Sequence, residues 1–479
     1  MYIGLDLGTS GLKGILIDDA QEVLAEATVP LSVSRPQDGW SEQDPATWLT
    51  AADAVMRALG AARPLGQVRG IGLSGHMHGA TVLDAGHRVL RPCILWNDTR
   101  AHAEAAALDA DPRFRARTGN IVFAGFTAPK LVWMRRHEPA LFAQAALVLL
   151  PKDYLRLWLT GEAVAEMSDA AGTAWLDTGR RDWDDALLAA TGLSRSQMPR
   201  LVEGSDVSGH LRAELAAQWG LPAGVVVAGG GGDNAASAVG MGVVGPGEAF
   251  VSLGTSGVLF AASAAYQPDA ASAVHTFCHA LPGTWHQMGV ILAAADALNW
   301  YAGLVGHPAA DLTAALGTLE PPGRTLFLPY LGGERTPHND PHVRGHFLHL
   351  DHASDRESLT RAVLEGVSHA FRDSLDALTG TGTRIERLIA VGGGSRSDYW
   401  IAAIATALGL PVDIPVAGDF GAAFGAARLG QMAATGQGAV LATPPRIARR
   451  IEPDPALAPA FAAAHARYRA AYAALRGLA

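Results

Sequence analysis

The chain has 479 residues, more than one hydrophobic core of about 250–300 residues holds, so two domains are expected. Forty-nine per cent apolar against 17% charged residues fits a folded chain with large cores and is a poor fit to disorder. A net charge of −9, without a dense basic cluster, argues against nucleic acid as a partner.

The N-terminus is an alternating β-rich run over 2–7, broken at Gly8, Thr9, Ser10 and Gly11 and resumed over 13–17, which predicts a hairpin. It lacks the basic start and apolar run of a signal peptide, and no apolar stretch reaches the ~20 residues of a membrane helix. A cytoplasmic protein without a membrane partner is expected. A third strand over 22–30, a loop over 35–45, a helix over 46–59 and a strand over 68–73 follow. That strand ends in Ser74-Gly75-His76-Met77-His78-Gly79. Two cysteines, Cys93 and Cys278, cannot make a disulfide framework and fit a reducing compartment. Farther on, 225–228 reads as a buried strand, Gly229 to Gly232 follow, and Asp233 and Asn234 open a small-residue helix.

Near residue 248 the order begins again. A strand over 249–253, a turn at Gly254, Thr255, Ser256 and Gly257, and a strand over 258–261 repeat the opening, and Leu-Gly-Thr-Ser stands at both 7–10 and 253–256. This predicts a duplication at the scale of a domain, with units 1–243 and 244–479 joined through the glycine-rich stretch 240–247. Two β-rich runs (274–280 and 285–291) and a helix over 292–304 follow. Helices over 357–378, 397–408 and 420–434 then alternate with strands over 388–391 and 412–415, and a last helix covers 456–475. Strand-helix alternation after an antiparallel meander gives an α/β architecture with mixed sheets in two domains facing a cleft.

Gly-rich turns between strands present consecutive N–H groups suited to phosphate oxygens. Three qualify: Gly8 to Gly11, Gly254 to Gly257, and Gly392-Gly393-Gly394-Ser395. No G-x-x-x-x-G-K-[ST] occurs, and the G-x-G-x-x-G of Gly240 to Gly245 follows a helical run instead of a strand, so neither nucleotide fingerprint applies. Asp233 reads either as a helix N-cap or as a carboxylate that glycines leave accessible to a hydroxyl proton. Asp6 reads either as a strand-end acid bonded to the turn or as a ligand, through water, of nucleotide-bound Mg²⁺. His76-Met77-His78 has zinc spacing without an evident third ligand, which favours ligand contact over metal. His275 and His279 share a strand face with Phe277 and read as packing, and the acids of 334–340 read as a solvated loop. Only three lysines occur, Lys13, Lys130 and Lys152, in a chain that otherwise uses Arg. Each is there by chance or where a compact ammonium is required.

The residues match a known family. Gly125-Phe126-Thr127-Ala128-Pro129-Lys130-Leu131-Val132-Trp133 and Ala362-Val363-Leu364-Glu365-Gly366-Val367 resemble the two signatures of the FGGY carbohydrate kinases, within the actin-like ATPase superfamily. Trp40 to Pro45, Met77 to Ala80, Leu95 to Asp98, Leu150 to Tyr154, Ser168 to Thr173 and Gly333 to Pro337 are similar to the branch acting on D-xylulose. The resemblance implies two ribonuclease-H-like domains with ATP and sugar between them. It implies Asp233 as general base for the sugar's terminal (5-) hydroxyl, and Met77, His78, Asp233 and Asn234 as the ketose site. It implies Asp6 near Mg²⁺; Gly8, Thr9, Ser10 and Lys13 facing the phosphates from one domain; Gly254, Thr255 and Ser256 facing them from the other; and Gly392, Gly393 and Gly394 against adenosine. Many members carry Asn where this chain has Ser397. A homodimer is compatible with the family, though no stretch of sequence argues for it. The rival readings are the same chemistry on ribulose, fuculose, gluconate or glycerol, a shape-changing ATPase, and a non-catalytic sugar sensor.

Overall fold

The computed structural model describes residues 1–416 and 421–478. The first sheet contains β1 (Tyr2–Leu7), β2 (Gly11–Ile17), β3 (Val23–Pro30), β4 (Gly70–Gly75), β5 (Val207–His210), β6 (Val226–Ala228) and β7 (Gly231–Gly232). Their order is β5-β6-β4-β1-β2-β3, with β7 beside the end of β4. β1, β2 and β3 form an antiparallel meander, β4 and β6 run parallel to β1, and β5 closes the edge antiparallel.

The second sheet contains β8 (Gly247–Leu253), β9 (Gly257–Ser263), β10 (His275–Cys278), β11 (Trp285–Ile291), β12 (Ile385–Val391), β13 (Val412–Pro415) and β14 (Ile447–Ile451). The order is β10-β11-β9-β8-β12-β13-β14. Its meander is β8, β9, β11, its parallel strands are β12 and β13, and its antiparallel edge is β14. The two sheets share one pattern of pairing, with β10 added to the second. This is a two-domain, mixed α/β fold, the ribonuclease-H-like sheet of the actin-like ATPases used twice.

The helices that cover the sheets or support the site are α1 (Pro45–Ala62), α2 (Thr127–His137), α3 (Pro151–Thr160), α4 (Asp233–Met241), α5 (Arg356–Gly380), α6 (Asp398–Leu408), α7 (Ala422–Thr435) and α8 (Ala458–Leu475). α1 starts where Asp44 accepts a hydrogen bond from Ala46 N at 3.0 Å and Pro45 takes the first helical position. Its Trp48, Ala52, Val55, Met56 and Leu59 fall on one face at helical spacing and are buried against the meander.

The helices between the sheets are exchanged. α7, from the second half of the chain, lies on the first sheet, where Ala423 and Ala427 pack with Tyr2, Ile15 and Ile17. α4, from the first half, puts Ala238 and Met241 among Phe250, Phe260 and Ile389 of the second sheet. Burying each such large side chain contributes about 1.5–3 kcal/mol, so the exchange ties the halves together. Close approach demands glycine here: a Cβ on Gly72 would stand 1.7 Å from Ala426 O, and one on Gly425 1.7 Å from Ala236 O.

Most elements begin within a few residues of expectation, and the departures have causes. The strand expected over 68–73 runs to Gly75 because its parallel pairing with β1 continues to Leu7 opposite Gly75. The helix expected from 292 begins at Ala295 because the N–H groups of Ala294 and Ala295 are taken by Thr255 O and Gly254 O, both at 2.9 Å. The expected helix start at Phe420 lies outside the described residues. Cys93 and Cys278 are buried and unbridged. Among the described residues no helix is long and apolar enough to cross a membrane.

Candidate active site

Parallel pairing sets the first group of residues side by side. Asp6 on β1 stands opposite Ser74 on β4, and Ser74 opposite Gly231 on β7. All three strands therefore release the chain at the same edge: into the 8–11 turn, the 76–79 loop and Asp233. The turn is closed by Gly8 N donating to Gly11 O at 2.9 Å, and Trp96 Nε1 donates to Thr9 Oγ1 at 3.0 Å. Lys13 lies across the hairpin from Asp6, and its ammonium is 3.1 Å from Glu26.

His78 has φ +70°, a left-handed conformation uncommon for its residue type, and three groups hold it. Lys130 Nζ donates to His78 O at 2.8 Å and to Gly125 O at 2.7 Å, and Thr127 Oγ1 donates to His78 O at 3.1 Å. The ring's Nδ1–H donates to Gly172 O at 2.7 Å, which leaves Nε2 as an acceptor. Burial pushes this imidazole down to about 3, so it is neutral at physiological pH. Met77 lies over Gly232, where a Cβ would be 2.9 Å from Met77 Cγ.

Asp233 follows directly. It is the first residue of α4, with Gly232 in the capping position, so the N-cap reading of Asp233 does not hold. Its Oδ1 accepts from Asn234 N at 2.7 Å and from Asn234 Nδ2 at 2.9 Å. Burial raises its pKa above the ordinary carboxylate value, which makes it a better proton acceptor. The glycines before it are anchored from below: Gly232 N donates to Ser168 Oγ at 3.0 Å, and Arg156 donates to Gly229 O. Lys152 sits in the same buried network, 2.8 Å from Asp153 and 2.9 Å from Asp169. Lys130 and Lys152 are both 0% exposed, where the slimmer ammonium fits between fixed oxygens. Burial, helped by the charge of Arg100, lowers Lys130 to about 7, whereas at Lys152 the neighbouring acids outweigh burial and raise the value.

The second sheet repeats this edge with different residues. Ser252 on β8 pairs with Val391 on β12, so the 254–257 turn and the 392–394 loop emerge together. Thr255 and Ser256 are exposed. Gly392, at φ +90°, is pressed on Leu253, where a Cβ would be 2.7 Å from Leu253 O. Gly393 and Gly394 line a cavity of about 540 Å³ with Arg396, Ser397 and Trp400. Gly392 lines a second, of about 450 Å³, with Asn234, Ser237, Ser252 and Arg396. Asn234 therefore joins the two groups, since it holds Asp233 on one side and borders the Gly392 cavity on the other. Ser397 caps α6, its Oγ accepting from Trp400 N at 3.3 Å.

Several secondary features resolve. Among the described residues the one grouping of three candidate ligands within reach of one another is Asp373, Asp376 and His465, and neither the 76–78 histidines nor the 275–279 pair belongs to it. His275 stacks on Phe277 at 5.4 Å between centroids, and His279 Nε2 bonds Val243 O at 3.1 Å, so both pack as expected. The solvated-loop reading of 334–340 fails at Glu334. Its carboxylate is buried, accepts from Leu292 N at 3.0 Å and Arg335 N at 2.8 Å, and is pushed by burial up to about 8. The anchoring roles of Lys130 and Ser168 lie in motifs that are visible in the sequence; the rarity of lysine marks Lys130, whereas nothing in the local pattern marks Ser168 as an anchor.

A ribonuclease-H-like sheet used twice, with glycine turns at corresponding strand ends and the Asp233 carboxylate where β7 ends, places this chain among the ATP-dependent kinases of small molecules. The chain belongs to the FGGY family of carbohydrate kinases: residues 1–240 match its N-terminal domain and residues 249–434 its C-terminal domain. It is a sugar kinase, with ATP and a sugar as substrates. It is 51% identical over 450 residues to the xylulose kinase of Escherichia coli (strain K12), covering 93% of each chain. It is similar over the full length of both chains to a crystal structure from Brucella ovis described as a xyloylose kinase, with 64% identity and a TM-score of 0.99. The xylulose kinase of Rhodospirillum rubrum superposes with a TM-score of 0.92 at 34% identity, over 100% of this chain and 99% of the other.

Proposed function

We propose that the enzyme transfers the γ-phosphoryl group of ATP to the terminal hydroxyl of D-xylulose, giving D-xylulose 5-phosphate and ADP. The observation that carries this reading is Asp233, raised in pKa by burial, which follows the glycine that Met77 covers and precedes Asn234 at the edge of the Gly392 cavity. The similarity to xylulose kinases across nearly the whole chain supports the choice of sugar.

In this reading Met77, His78 and Asn234 hold the ketose, with neutral His78 Nε2 accepting from a sugar hydroxyl. Asp233 takes the proton of the 5-hydroxyl as its oxygen attacks phosphorus. The transition state of phosphoryl transfer is loose, so positioning and charge neutralisation do most of the work. The turns at Gly8, Thr9 and Ser10 and at Gly254, Thr255 and Ser256 offer N–H and hydroxyl donors to the phosphates from opposite sides. Lys13 adds a cation, and Gly392, Gly393 and Gly394 leave room for adenosine. The Asp6 carboxylate and the turn's hydroxyls are the hard oxygen donors that Mg²⁺ takes alongside water and phosphate. Bound there, Mg²⁺ would neutralise phosphate charge.

The test is ADP release from Mg-ATP with D-xylulose against a panel of other ketoses and polyols. Release that depends on D-xylulose and far exceeds the rest is expected. Stronger release with another sugar would move the specificity, and release independent of any sugar would overturn the kinase reading.

A further inference from the structure

One charged side chain on the sugar-side wall has no role in the proposed transfer. Arg335 stands in a loop of the second half whose backbone is fixed at several points. Glu334 and Asp340 exchange N–H to O bonds, both at 2.8 Å, Thr336 N donates to Val290 O at 3.0 Å, and Thr336 Oγ1 donates to Ala273 O at 3.0 Å. The Arg335 N–H is held by the buried Glu334 carboxylate at 2.8 Å. So anchored, the loop sends its guanidinium across to the first half, 4.5 Å over the ring of Phe123.

Phe123 is part of a continuous wall. It meets Phe126 edge-on at 5.7 Å, and Phe126 stacks on the His78 ring at 4.7 Å. His275 closes the wall at 5.3 Å from Phe123. Among the described residues Arg335 makes no ion pair, and its guanidinium makes a single hydrogen bond, a long one of 3.4 Å to His275 Nε2. A guanidinium carries five donors, and leaving them unmatched in a half-buried wall is costly unless oxygens of a ligand take them up. A polyhydroxy ketone supplies such oxygens, and His78 marks where it would lie.

We propose that Arg335 is a specificity-determining residue that donates hydrogen bonds to oxygens of the acceptor sugar. The sugar is then gripped by His78 and Asp233 from the first half and by Arg335 from the second. This inference rests on the kinase reading, because it needs an acceptor beside His78. It also gives the fixed loop a purpose: a donor carried by the opposite half is correctly placed only when the halves are together, so a sugar that satisfies it favours the closed cleft.

The experiment is steady-state kinetics of Arg335→Met and Arg335→Lys on whichever panel sugar the wild type uses best, with both substrates varied. For Arg335→Met the KM for the sugar is expected to rise ~10-fold or more while the KM for ATP stays within ~2-fold, since a charge-assisted donor to the sugar alone is lost. Arg335→Lys, which keeps the charge but loses the fork, should fall between. Should Arg335→Met fail to fold, as judged by its melting curve, Arg335→Lys carries the test, and a several-fold rise in sugar KM alone is the expected result. An unchanged sugar KM, or a rise in ATP KM as large as that for the sugar, would overturn the assignment. A wild type that prefers a sugar other than D-xylulose corrects the substrate, and the variants are then judged on that sugar. A wild type with no sugar dependence removes both claims.

Discussion

The two sheets share a pairing pattern and differ in what they carry at the same edge. After the strand parallel to β1, the first half places His76 to His78, a loop of side chains with His78 half-buried, neutral and pinned by Lys130. After the equivalent strand parallel to β8, the second half places Gly392 to Gly394, a loop of backbone alone beside cavities of about 540 and 450 Å³. The difference follows from the ligands proposed for each edge. A sugar is uncharged and is distinguished by directional hydrogen bonds from fixed side chains, whereas a nucleotide needs space and backbone N–H groups close to its phosphates. Duplication supplied one scaffold, and the loop after one strand gave each copy its own chemistry.

The comparison breaks first at Asp233, which has no counterpart in the second half's glycine loop. Asp233→Ala is expected to lower kcat by about 10²–10⁴-fold with little change in melting temperature. Sugar-dependent ADP release within tenfold of the wild type would remove the base role. Next comes the contact that holds the copies together. Gly72→Ala places a methyl 1.7 Å from Ala426 O of α7, and a loss of about 1–3 kcal/mol in denaturant unfolding is expected. The Gly393 edge should respond differently, because nothing lies within 4 Å of a Cβ built there. Gly393→Val is therefore expected to raise the KM for ATP by ~10-fold without destabilising the fold or moving the sugar KM. An equal change in both KM values would mean the two edges do not divide the substrates.

The smallest effect sharpens the contrast through pH. Lys130, in the first half, has its pKa lowered from 10.5 to about 7 by burial, so the unfolded chain binds the extra proton between these values. Its contribution to stability is present above 10.5 and is lost as pH falls towards 7. Glu334, in the second half, is raised from 4.5 to about 8, so its contribution is present below 4.5 and is lost as pH rises through 8. Denaturant midpoints of Lys130→Met and Glu334→Gln, each compared with wild type over these windows, should differ by slopes of opposite sign. Each slope is about 1.4 kcal/mol per pH unit at most. Parallel curves for variant and wild type would show that the group titrates alike in the folded and unfolded chains.

The sequence by itself determined what depends on neighbours along the chain. The alternating run over 2–7, the two Leu-Gly-Thr-Ser turns, the apolar face of α1, and Asp233 after four glycines are all set by local spacing and turn chemistry. They were legible for that reason, and so was the duplication they spell. Tertiary structure alone decided which half each helix serves, since α4 and α7 are small-residue helices that could lie on either sheet until Gly72 and Gly425 fix their approach. It also decided the fate of individual charges. Lys130 meets His78 across 52 positions of sequence, Arg335 meets His275 across 60, and Glu334 is dry in a loop whose composition reads as wet. A charged side chain carries no local mark of its solvation. Whether it is stripped of water, and which oxygen or ring then faces it, is settled only when distant segments pack around it.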